Sequence, residues 1–356
     1  MGKTLKALFG GEEKTIDYHR KEKVQMGKTL KVLLGILAVS TLLLTAGQAA
    51  EKVIIGTFGD PTPTQMAARE GKFAAATGWD VDWRKFASGT DVIAAMASGD
   101  IKVAELGSSP FAIAATQGVG LQVFMLDYVI GKSESLIVRN GTGINTLGDL
   151  KGKRIAVPVG STAHFSLMGA LKHANIDQQA LTIMTMPPDQ IVAAWQQSAI
   201  DGAFVWPPAQ TEILKTGKRL VGADEVANWG FPTFNVWVVN TEFAKKNKKA
   251  LIAFMKANDD ALQAYLKNPA AWTPDHAGVK AIAMQTGEDP KQIPETLLGY
   301  TFLPLADQLK PQWLGGGITK ATKDTAAFLK SAGRLDKVLD DYSKYVTDEY
   351  VKEAVR

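Results

Sequence analysis

Two stretches of the chain place hydroxyl groups where a helix begins. In ELGSSPFAI (105–113) an apolar run ends at Gly107, Ser108 and Ser109 follow, and Pro110 opens a helical pattern. In VPVGSTAHF (157–165) Gly160, Ser161 and Thr162 stand in the same order between a strand-like run and a helix. First-turn N–H groups have no partner within their helix and carry partial positive charge, so such a junction suits a small anion held by neutral donors. Each hydroxyl pair also reads as an ordinary helix N-cap. With one pair in each of two α/β units, the pairs would face each other across a cleft.

Glu134 supplies the opposite character. It stands in GKSESLIV at the head of an apolar strand, where an acid is costly unless it is solvated, paired or turned to a ligand. Trp206 in GAFVWPPA and Trp237 in NVWVV sit at or inside strands, and either reads as core packing. At a cleft, an indole face beside Glu134 would suit an ammonium group. An anion socket and a cation socket together describe a small zwitterion.

Other chemistries lack their residues. There are no cysteines, which removes thiol catalysis, disulfides and Cys-based metal sites. The four histidines are scattered, with no helical metal-ligand spacing, so no metal and no cofactor is expected. No Gly-x-Ser-x-Gly elbow occurs, and His164, two residues past Thr162, reads as a packed helix residue. Walker and dinucleotide-binding glycine motifs are absent.

The elements that would position these groups alternate. KVIIGTF (52–58), WDVDWRKF (79–86), VAEL (103–106) and LQVFMLDY (121–128) read as strands. Between them, helical spacing runs from Pro63 through Met66, Ala67 and Phe73, then from a cap at Gly89-Thr90-Asp91, then along SPFAIAAT. The same grammar restarts at RIAVP (154–158), a helix through Phe165 and Leu171, LTIMTM (181–186), a helix from Pro188 to Trp195, and GAFVW (202–206). This predicts an α/β fold of two lobes with largely parallel sheets. ESLIVRN (134–140) and TFNVWVVN (233–240) are the predicted crossing strands, giving lobe 1 as 51–134 and 236–356 and lobe 2 as 135–235. Residues 241–356 read as mainly helical and are expected to cover the lobe 1 sheet.

The chain has 356 residues, 46% hydrophobic and 21% charged, an ordinary globular composition. Residues 26–50 read as a secretory signal peptide: Lys28 and Lys31, an apolar run from Val32 to Ala46, and small residues up to Ala49 and Ala50. MGKTLK occurs at 1–6 and again at 26–31, so Met26 reads as the start and residues 1–25 as a mis-called extension. Eight basic and four acidic residues fall in 1–50, which leaves the remainder formally neutral. The overall pI of 8.9 therefore gives no reason to expect nucleic acid as a partner.

DWRKFASGTDVIAAMASGD, LGSSPFAIAA, GKRIAVPVGSTAHFSL, IVAAWQQSAIDGAFVWPPA and TFNVWVV, in this order and spacing, resemble the periplasmic taurine-, aliphatic-sulfonate- and nitrate-binding proteins of ABC transporters. The resemblance spans nearly all of 51–350. It implies a type II periplasmic-binding-protein fold with two crossing hinge strands and the ligand in the inter-lobe cleft. It also implies a monomer that captures taurine for sulfur acquisition and delivers it to a membrane permease powered by a separate ATPase. Residue by residue, it implies that Ser108, Ser109, Ser161 and Thr162 hold the sulfonate, that Glu134 takes the ammonium and that Trp206 walls the pocket. Taurine binders of this family carry aspartate where this chain has Asn235, two residues before Trp237. Asn235 could still accept a hydrogen bond through its carbonyl oxygen, with Asp60 or Asp127 able to restore charge nearby, and isethionate, alkanesulfonates and sulfate esters stay open as ligands. An enzyme on the same scaffold, related to pyrimidine-precursor synthases, would need a nucleophile or metal cluster this sequence lacks.

Overall fold

The computed structural model describes residues Ala50–Arg356. The extension predicted at 1–25, and the signal peptide predicted at 26–50 apart from Ala50, lie outside the described residues.

The first strands form from apolar runs rich in β-branched and aromatic residues, near-continuous in the buried strands and alternating with polar residues only in the second. They are β1 (Lys52–Thr57), β2 (Asp80–Lys85), β3 (Val103–Gly107) and β4 (Leu121–Ile130). β1 pairs in parallel with both β2 and β3. The helical run expected from Pro63 through Phe73 divides into helices Pro63–Arg69 and Lys72–Thr77. Gly71, at φ 69°, takes the left-handed conformation that separates them. The next helix, Gly89–Ser98, is capped one residue earlier than expected, because the Ser88 hydroxyl accepts from the Asp91 N–H.

The chain leaves β4 through Gly131–Glu134 and enters a second sheet at β5 (Ser135–Arg139). There β6 (Arg154–Val157), β7 (Thr182–Thr185) and β8 (Gly202–Val205) alternate with helices Thr162–His173 and Pro188–Gln196. An unforeseen β9 (Gly217–Gly222) completes it. The chain returns at β10 (Phe234–Asn240), and a two-residue β11 (Tyr300–Thr301) closes the first sheet. The sheet orders are β11-β4-β10-β3-β1-β2 and β7-β6-β8-β5-β9. β5 and β10 run antiparallel to their neighbours, as strands that carry the chain between two parallel sheets must.

The long helix Lys248–Leu266 covers the six-stranded sheet. Its Phe254 packs against Phe73, Phe124 and Trp237, with ring centroids 4.5, 6.2 and 5.1 Å apart. Among the described residues, no helix is long and apolar enough to cross a membrane.

Candidate functional site

A cavity of about 30 Å³ lies where the two sheets' strand ends converge. Asp60, Tyr128 and Asn235 reach it from the six-stranded sheet and the loop after β1; Glu134, Thr162 and Trp206 reach it from the crossing segment and the five-stranded side. The two sides touch closely. A Cβ on Gly107 would come within 2.8 Å of Thr162 Cγ2 and 3.3 Å of Asn235 Oδ1, so only glycine leaves room at the end of β3.

On the six-stranded side the polar groups form a chain. Asn235 and Tyr128 are cross-strand neighbours in β10 and β4. Asn235 Nδ2 donates to the Tyr128 hydroxyl at 2.6 Å, and that hydroxyl donates to Asp60 Oδ2 at 2.5 Å. Asp60 Oδ1 is buried and has no partner. Burial raises the Asp60 pKa to about 6, against the lowering effects of the Tyr128 hydrogen bond and of Lys85.

Behind this chain lie two more buried acids. Glu105 accepts from the Thr57 hydroxyl and the Phe58 N–H, both at 2.9 Å, and burial and neighbouring acids push it well above the carboxylate range. Asp127 is pushed up to about 7 by burial, while the nearby Trp237 indole, outside good hydrogen-bond geometry, draws it down. Neither lines the cavity. Asp60, Glu105 and Asp127 do not form a set able to hold a metal ion, and no such set exists among the described residues.

On the other side Glu134, 2% exposed, sits against a helix start. Its Oε1 accepts from Thr162 Oγ1 at 2.7 Å, while Oε2 has no partner. Burial outweighs the lowering influence of the Thr162 hydroxyl and the nearby Ala163 N–H and raises its pKa to about 8. Ser161 is the N-cap: its hydroxyl accepts from the His164 N–H at 3.1 Å and donates to the Pro158 carbonyl at 2.6 Å. His164 is fully buried, and burial with Arg334 nearby lowers it to about 4, so it is neutral and packed.

The structure thus brings Asp60, Glu134, Ser161, Thr162, Trp206 and Asn235 to one cavity and leaves three predicted residues outside its lining. Ser108 and Ser109 are buried in the first turn of helix Ser108–Gln117. The Ser108 hydroxyl turns to the Phe234 N–H of β10, at 3.4 Å, and the Ser109 hydroxyl is buried without a partner. The flanking Gly107 and Pro110 line the cavity instead. Trp237 lies one pleat deeper than Asn235, fully buried and packed edge-on to Trp83 and Phe254. It is a core residue. Asp127, the other candidate for restoring charge, is likewise behind the cavity. Tyr128 and Tyr300 line the cavity and were not anticipated, since each reads in sequence as an aromatic strand residue.

Residues 60–272 match the NMT1/THI5 like family. The chain is 42% identical over 290 residues to the taurine-binding periplasmic protein of Escherichia coli (strain K12), covering 82% of this chain and 89% of that protein. Its fold matches the alkanesulfonate-binding protein SsuA from Xanthomonas axonopodis pv. citri bound to MOPS, with a TM-score of 0.69 at 21% identity, over 82% of this chain and 97% of that one. The desulfurization enzyme DSZB shares the fold at a TM-score of 0.59 and 14% identity, over 85% of this chain and 99% of that one. The fold therefore carries both binding proteins and an enzyme.

Proposed function

Since the chain belongs to the NMT1/THI5 like family, we propose that it is the substrate-binding component of an ABC importer and that its ligand is taurine. The observation that carries this reading is the polarity of the cavity. Asp60 and Glu134 each bring a carboxyl with one unpartnered, buried oxygen to the lining, and neither forms an ion pair among the described residues. A buried carboxyl that ionises without a counter-ion is costly, and an ammonium group entering the cavity removes that cost. The sulfonate end is assigned to the helix starts at Gly107 and Ser161–Thr162, where backbone N–H groups and the positive ends of helices Ser108–Gln117 and Thr162–His173 suit an anion.

Binding at a contact between sheets implies closure about the two crossing segments, with 51–134 and 236–356 moving as one lobe and 135–235 as the other. The protein is exported to the periplasm, works as a monomer and hands its ligand to a membrane permease driven by a separate ATPase. We read it as performing no chemistry on the ligand: the His164 imidazole is buried and meets the Gly160 N–H, while the Ser161 and Thr162 hydroxyls donate to the Pro158 carbonyl and to Glu134.

A second reading, an amine-free sulfonate such as isethionate, is favoured by Asn235, which puts a neutral amide in the lining. Calorimetric titration of the purified protein with taurine, isethionate and an alkanesulfonate separates the two. Taurine binding at least tenfold more tightly than the others supports the zwitterion reading; equal or weaker taurine binding sinks it.

A further inference from the structure

We propose that Asp60 is the carboxyl group that receives the ligand's ammonium, and that Tyr128 and Asn235 are positioning residues that occupy one of its oxygens and leave the other free for the ligand. This rests on the zwitterion reading and deepens it by dividing the two lining acids between the two ends of the ligand.

The direction of the hydrogen bonds carries the argument. The Asn235 amide nitrogen is only a donor, so the Tyr128 oxygen must accept from it. The single Tyr128 proton is then committed to Asp60 Oδ2. An aspartate at 235 could not donate, and two carboxylates would compete for that one proton. Asn235 is therefore the terminal donor of a chain that ends on Asp60, and its lack of charge is what keeps the chain pointed one way. Asp60 Oδ1 remains in the lining, buried and unpartnered.

Glu134 is arranged for the other end. Its Oε1 already takes the Thr162 hydroxyl at a helix start. Raised to about 8, it keeps its proton at neutral pH, so Oε2 presents a donor suited to a sulfonate oxygen. Asp60, at about 6, is the more readily ionised of the pair. The groups around Asp60 are Tyr128 and Asp127 on β4, Tyr300 on β11, Glu105 on β3, Glu134 on the crossing segment, Glu288 before helix Ile293–Leu298 and Lys85 on β2. Lys85 is the one cation in that set, and it makes no ion pair with Asp60 among the described residues.

The test is calorimetric titration with taurine of the wild-type protein, Asp60→Asn, Glu134→Gln, Tyr128→Phe and the Tyr128→Phe/Asp60→Asn double variant, with melting curves as a fold control. Asp60→Asn is expected to weaken taurine binding by about tenfold or more and Glu134→Gln by less than about threefold, since glutamine keeps a donor. Tyr128→Phe is expected to weaken it by roughly three- to tenfold and to move the loss of affinity at low pH to a higher pH, because removing the hydroxyl removes what holds Asp60 down. In the Asp60→Asn background the Tyr128→Phe change should cost less than about twofold, as expected of residues that act through one another. A larger loss from Glu134→Gln than from Asp60→Asn, or additive effects in the double variant, overturns the assignment while leaving the zwitterion reading in place. If the wild-type protein does not bind taurine, both fall. Should Tyr128→Phe fail to fold, the order of Asp60→Asn and Glu134→Gln decides the ammonium assignment.

Discussion

The two faces of the cavity are built from different materials. The six-stranded side carries Asp60, Glu105 and Asp127, all buried and none ion-paired among the described residues, with Tyr128 and Asn235 linked by hydrogen bonds to Asp60. The five-stranded side offers a helix start, and the acids of its own sheet and helices sit at the surface in pairs such as Arg154 with Asp201 at 2.7 Å and Arg219 with Asp224. One face concentrates buried carboxyl groups, of which Asp60 reaches the lining; the other offers neutral donors and a helix dipole. A ligand with a cationic and an anionic end fits that polarity in one orientation only, which is how a small site can be selective with few contacts.

The largest expected effect separates the two tryptophans that sequence could not tell apart. Trp237→Ala should destabilise the protein by about 3–5 kcal/mol, because it empties a packed site against Trp83 and Phe254. Trp206→Phe should leave the unfolding midpoint nearly unchanged and weaken ligand binding instead. Denaturant unfolding beside calorimetry checks both.

Next comes the acid face. The Asp60→Asn/Glu134→Gln double variant should lose roughly 30-fold in taurine affinity while keeping a cooperative melt. An unchanged affinity would mean that the buried acids do not contact the ligand.

A smaller effect concerns pH. Asp60, Asp127 and Glu134 have folded-state pKa values of about 6, 7 and 8, above those of unfolded carboxyls. The folded protein therefore binds more protons than the unfolded chain in that window, so unliganded stability is fullest near pH 4 and declines as pH rises toward about 8. Melting temperatures across that range should fall, and Glu134→Gln should flatten the upper part of the decline. The smallest effect lies on the other face: Arg154→Ala breaks a solvent-exposed pair and should leave both melting temperature and affinity nearly unaltered.

Much of the architecture was legible because strand alternation and helix starts are local signals. The run from β1 to β4, the restart at β6 and the two crossing strands follow from apolar periodicity and glycine or proline punctuation. What was not legible depends on depth and direction. Asn235 and Trp237 share strand parity, so period-two reasoning puts them on one face; only the packing of helix Lys248–Leu266 shows that the second lies in the core. Ser108 and Ser109 were readable as a helix start, but which way a first-turn hydroxyl turns depends on the neighbouring β10. Tyr128 looked like another apolar strand residue, since its role rests on a hydroxyl meeting a loop acid 68 residues away. The helix break at Gly71 and the Ser88 cap were one-residue matters of local hydrogen bonding.

The most direct test is a crystal structure of the protein with taurine bound. The predicted result is one taurine in the cavity, its nitrogen within hydrogen-bond distance of Asp60 Oδ1 and its sulfonate at the helix starts by Gly107 and Ser161–Thr162. A taurine lying the other way round, with its sulfonate toward Asp60, or one bound outside this cavity, would contradict the polarity described above.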